Sequence, residues 1–232
     1  MITKILKSLL IVLSAYSGVI AAVESLPQVV FKSVDISDES SSVIRQLVRS
    51  GAKSVPTDPV KARDLFIEAL YKVDRGLDIG EYEYLWIQYG LLKSSFEPGT
   101  AQFNVGTKAD YINIAAQVLN FLDESTSTGI WQYTELGQFQ MEVYRTAGNG
   151  LAWQQLQNGS NQEQWKEALT TVEKAVSYIR DPEDYYILDT KVRILLKLNR
   201  EQEAYRIVRE VLDEDPAFAD FQDLKDSLPT RP

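Results

Sequence analysis

Leu188–Pro216 reads LDTKVRILLKLNREQEAYRIVREVLDEDP. Small or apolar residues stand at Leu188, Val192, Leu195, Ala204, Val208, Val211 and Leu212, the three-and-four spacing of amphipathic helices, broken once by a polar turn around Asn199. Two helices joined by so short a turn lie side by side. Pro216 closes the unit, because proline cannot continue a helix. One hairpin of this size cannot bury its apolar face alone, so the pattern predicts neighbours on which it stacks.

Outward from that stretch, the chain reads as about four such hairpins. In the first, Ile44, Leu47, Val48 and Gly51 share one face of a leading helix. Its trailing helix opens at Asp58-Pro59, an acidic cap with proline at the first helical position. It carries Ala62, Leu65, Phe66, Ala69, Leu70 and Val73 before Gly76 and Gly80 end it. The second hairpin begins in EYEYLWIQYGLLK, where Gly90 on the Trp86–Tyr89 face allows a neighbouring helix to approach closely. After a long segment, SSFEPGTAQFNVG, its trailing helix starts near Thr107, with Asp110 completing a capping-box variant and Ala115, Leu119 and Leu122 forming the stripe.

The third begins at IWQYTELGQFQ and runs through Val143, Tyr144, Ala147 and Leu151 towards Leu156, although Gly148 and Gly150 weaken a helix interior. Trp165, Ala168, Val172, Ala175 and Val176 follow the turn at NGSNQ. The fourth opens at Asp181-Pro182-Glu183-Asp184, acids that suit the positive end of a helix. Residues 217–228 provide a short closing helix that shields the last apolar face. The helical domain is thus expected over 42–228. Residues 23–41, with β-branched Val29–Ile36 and a polar run from Ser37, read as an extended lead-in.

The first 22 residues have the form of a secretory signal peptide: Lys4 and Lys7, an apolar run from Leu9 to about Val19, then Ala21 and Ala22. The run is shorter than the ~20 apolar residues a spanning helix needs, so cleavage is expected and no membrane span remains afterwards. No cysteine follows it, which rules out a bacterial lipid anchor there. The expected location is periplasmic or secreted. Without cysteine the fold must hold by packing alone, and without histidine the commonest general base and metal ligand are missing. The net charge of −9 becomes −11 once the two leader lysines are gone. Such a surface repels phosphate backbones, so nucleic acid is excluded as a partner.

No paired-histidine metal motif, Gly-x-Ser-x-Gly elbow or phosphate-cradling loop occurs, and the acids lack the spacing of a calcium loop. A non-enzymatic chain with no cofactor and no metal is expected.

Ala62, Phe66 and Ala69; Ala168, Val172 and Ala175; Ala204, Val208 and Val211; Trp86, Tyr89 and Gly90; and Tyr133, Leu136 and Gly137 together resemble the tetratricopeptide repeat family, whose unit is about 34 residues. The resemblance covers roughly 42–216, with Lys191 in place of an apolar residue and loops that break the period. It implies an all-α, right-handed superhelical stack of about four hairpins with a concave groove lined by leading helices. By that similarity Tyr84, Trp131 and Tyr186 take the second groove position of three successive hairpins. Ile87, Thr134 and Asp189 take the fifth, and Leu91, Gln138 and Arg193 the ninth. The implied function is to hold a protein or peptide in that groove, within a bacterial envelope assembly or secretion process. The alternatives are a glycan- or peptidoglycan-binding or glycan-cleaving envelope protein using the same aromatic groove, and a self-assembling subunit. Arg45, Arg49 and Lys53 add a basic edge at one end. The residues fix neither the oligomeric state nor the identity of the partner.

Overall fold

The computed structural model describes residues 41–95, 107–125, 135–179 and 184–228. The leader, nearly all of the lead-in, and Trp131 and Thr134 lie outside the described residues. Those described form nine helices and no strand: α1 (Ser42–Ser54), α2 (Pro59–Asp74), α3 (Glu81–Lys93), α4 (Lys108–Ser125), α5 (Glu135–Asn158), α6 (Gln162–Val176), α7 (Tyr185–Lys197), α8 (Glu201–Glu214) and α9 (Ala219–Ser227). The described residues are all-α, as the periodicity predicts.

The boundaries follow from local chemistry. Asp58 accepts a hydrogen bond from the Lys61 amide at 3.0 Å, with Pro59 opening α2. Thr107 and Asp110 cap each other reciprocally at 3.0 and 3.1 Å, the expected capping box of α4. Asn161 caps α6 through the Gln164 amide. At the other ends, Gly76 (φ 91°) and Asn199 (φ 57°) take the left-handed conformation. At α7 the Arg200 amide reaches back to the Leu195 carbonyl and the Asn199 amide to that of Leu196, the Schellman pattern. The two helices of Leu188–Pro216 therefore turn where the sequence says they do.

Packing runs from neighbour to neighbour. Each helix lies against the next in sequence, and the leading helices also touch one another, α1 with α3, α3 with α5, and α5 with α7. The buried side chains form two clusters that divide on the long helix α5. Met141, Val143, Tyr144, Ala147 and Leu151 belong to the cluster shared with α1–α4. Ala152 and Leu156 belong to the one shared with α6–α9. Phe221 and Leu224 of α9, with Leu228 just past its end, close the second cluster, as expected of a terminal cap.

Glycines and alanines set the helix separations. The fully buried Phe66 ring of α2 touches both Gly51 of α1 and Gly90 of α3. A methyl group at Gly51 would come within 2.8 Å of the ring, and one at Gly90 would overlap it. In α5, Gly148 lies against Ala175 of α6 and Gly150 against the Tyr111 hydroxyl of α4. Two mid-helix glycines cost about 1 kcal/mol each in propensity. The helix nevertheless runs unbroken for 24 residues, because those are the points where α4 and α6 approach.

Gly90→Ala is expected to destabilise the chain by about 1–3 kcal/mol through overpacking. Adding Phe66→Leu to that variant should recover part of the loss. A urea-unfolding double-mutant cycle checks it; strictly additive losses would mean the ring and the glycine do not share one space.

Candidate functional site on the leading-helix face

On α3, Tyr82, Trp86, Tyr89 and Lys93 recur at helical spacing and lie outside the buried face made by Tyr84, Leu85, Gln88, Leu91 and Leu92. Phe139 of α5 joins them. Trp86 stacks on Phe139 with centroids 4.7 Å apart and planes 23° from parallel. Tyr82 meets Phe139 at 5.5 Å and Tyr89 meets it at 5.6 Å. Lys93 sits 5.6 Å above the Tyr89 ring, within cation–π range. Tyr82 is 48% exposed, while Trp86, Tyr89 and Phe139 are half-buried. The result is a four-ring platform spanning two leading helices, with apolar surface still open to solvent.

The platform continues into a polar cluster. The Tyr89 hydroxyl donates to Glu142 at 3.1 Å. Arg145 donates to the other Glu142 oxygen and, at 3.0 Å, to the Tyr178 carbonyl, and it lies 3.3 Å from Asp184. Burial and the Glu142 charge both push the Tyr89 hydroxyl far above the ordinary tyrosine range, so it remains a proton donor. Tyr186 of α7 is 39% exposed, and its hydroxyl sits beside Glu142 and Thr146. Burial first, then Glu142 and Asp184, push that hydroxyl up to about 12. Arg193 pairs with Asp189 at 2.9 Å and feels Asp220 and Asp223 of α9. Side-chain contacts thus link α3, α5 and the start of α7.

Of the expected groove residues, Tyr186 and Gln138 are exposed and Asp189 and Arg193 are half-buried. Tyr84 and Ile87 are buried, at 2% and 0% exposure, and Tyr84 packs edge-on to Phe121 of α4 at 4.9 Å. Leu91 is equally buried. On α3 the outward stripe is displaced by two residues, onto Trp86, Tyr89 and Lys93, with Tyr82 one turn earlier. The spacing Tyr82–Trp86–Tyr89–Lys93 carries this stripe in the sequence, but α3 is apolar on nearly every side and the opposite register looks equally good. Asp184 stands at the N-cap of α7, as expected of a helix-start acid; it makes no side-chain capping hydrogen bond there and lies against Arg145. Lys191, the departure from the repeat pattern, pairs with Glu173 of α6 at 3.2 Å.

Among the described residues no three acidic side chains converge on a metal-sized site, and no helix is long and apolar enough to cross a membrane. The chain has no counterpart among the family models, curated proteins and solved structures with which it was compared.

One buried acid marks the α3–α5 contact. Glu81 is 6% exposed and accepts a hydrogen bond from the Gln140 amide at 2.5 Å. Burial raises its pKa above the ordinary glutamate value, and the Gln140 bond opposes that rise only in part. A raised carboxyl favours the protonated fold. Its stabilising contribution is full below the unfolded pKa and is lost as pH rises through the folded one. Glu81→Gln, which cannot ionise, is therefore expected to raise Tm by about 3 °C at pH 7, a gain that shrinks towards zero near pH 4. Thermal melts across that range check it; a pH-independent difference would assign the effect to packing.

Proposed function

We propose that this chain is an exported, non-enzymatic scaffold of the tetratricopeptide type. About four hairpins form a right-handed superhelical stack whose leading-helix face holds a protein or peptide, in a bacterial envelope assembly or secretion process. The observation that carries the reading is the solvent-open aromatic platform of Tyr82, Trp86, Tyr89 and Phe139, continuing to Tyr186. Large apolar side chains left half-exposed at one place on an otherwise charged surface favour a partner that removes them from water. Tryptophan and tyrosine give such contacts much area at small entropic cost. The contacts between successive leading helices support the stacked arrangement, since that face is the one an extended ligand crosses helix by helix. The apolar leader and the missing cysteines support export without a disulfide framework.

Peptide display against the mature chain tests this. Selected peptides should lose about 2 kcal/mol of affinity, roughly thirty-fold, on Trp86→Ala, and a smaller amount on the exposed Tyr82→Ala. Tyr84→Ala should instead lower the melting temperature, because its ring lies in the core. Peptides that bind both surface variants as well as the parent would remove the platform from the function. Enrichment of saccharides over peptides on the same platform would favour the glycan reading.

A further inference from the structure

α1 is distinctive in its charge. SVIRQLVRSGAKS contains no acid, and its three charged residues, Arg45, Arg49 and Lys53, are all cations in a chain with nine more acidic than basic residues. They recur every four residues, so they form one stripe along the helix. The stripe lies away from the buried face of Ile44, Val48 and Gly51. Arg49 and Lys53 are exposed and Arg45 is half-buried. Elsewhere Lys72, Arg145, Lys174, Lys191, Arg193, Arg200 and Arg209 each lie against an acid, and the described cations without one, such as Lys61 and Lys225, are single and not aligned in a row of three. Among the described residues none of the three on α1 lies against an acid. They line a shallow hollow of ≈440 Å³ together with Ser42, Gln46 and Ser50, whose hydroxyls and amide can hydrogen-bond a carboxylate.

We propose that this stripe binds an acidic peptide segment of a partner protein in extended conformation, with carboxylates at alternate residues. The match is one of spacing. Helical rise places successive cations about 6 Å apart along the axis, near 12 Å from first to last. Alternate side chains of an extended strand lie on one side at about 6.6 Å, so three carboxylates span about 13 Å. A single phosphate would engage fewer of the cations, and a run of adjacent acids would direct half its carboxylates away. The assignment rests on α1 alone and stands independently of the aromatic platform.

The test uses the mature full-length chain and fluorescent heptapeptides with blocked ends, followed by anisotropy at low and moderate salt. A peptide alternating glutamate and threonine should bind and weaken with salt. Arg49→Gln with Lys53→Gln, both on exposed positions that leave helical content unchanged, should reduce its affinity about ten-fold. Trp86→Ala should leave that affinity unaltered, which separates failure here from failure of the platform. The lysine–threonine counterpart should not bind, and the same glutamates placed consecutively should bind several-fold more weakly. No binding, equal binding of the consecutive-acid peptide, or displacement by millimolar inorganic phosphate would overturn the proposal. So would binding that emerges only when the chain's own Asp35, Asp38 and Glu39 are changed to amides, since the occupant would then be this chain's segment ahead of α1.

Discussion

Phe66 stands between Gly51 and Gly90, and three helices take their separation from that one ring. An aromatic side chain that is completely buried needs partners all round it, and two of its neighbours must present bare backbone for α1 and α3 to come close enough. The same device returns in α5, where Gly148 admits Ala175 and Gly150 admits Tyr111. Close approach by small residues fixes where each helix sits on the next, so it also fixes which residues remain outside. With Gly90 turned towards Phe66 and Tyr84 towards Phe121, the side chains left at the surface of α3 are Tyr82, Trp86, Tyr89 and Lys93. The open aromatic platform is thus a consequence of where the glycines are.

The chemistry of that face follows the same logic. Tyr89, Glu142, Arg145 and Asp184 come from α3, α5 and the start of α7, and they are brought together by contacts among leading helices. Half-buried charges need partners, and Arg145 supplies one to each of two acids while also satisfying the Tyr178 carbonyl. This network ties α3, α5 and the start of α7 to one another beneath the rings. The rings of Trp86, Tyr89 and Phe139 thus adjoin an ionic cluster of Glu142, Arg145 and Asp184.

Much of this architecture was legible in the sequence wherever one face of a helix is apolar and the other polar. α8, with Ala204, Val208 and Val211 buried among charged neighbours, is such a case, and the caps at Asp58 and Thr107 announce their helices. Legibility failed on α3 because Leu85, Trp86, Ile87, Tyr89, Leu91 and Leu92 leave no polar side to orient it. A family register then placed Tyr84 and Ile87 outward, where the structure buries them. Gly148 and Gly150 hinted at a break, since propensity speaks of a helix in isolation and not of the neighbours that come to lie on it. Arg145 carried no signal at all: a single arginine in a mixed stretch becomes central only when Glu142, Tyr178 and Asp184 converge.

The most direct test is photo-crosslinking in cells that make the full chain. A photoreactive phenylalanine analogue is placed in turn at the exposed positions Tyr82, Gln138 and Tyr186 on the leading helices, and at Glu68, Glu167 and Glu210 on the trailing helices α2, α6 and α8. The account predicts one discrete protein adduct shared by the three leading positions and none from the trailing ones. Adducts confined to the trailing helices, or spread evenly over both sets, would contradict it.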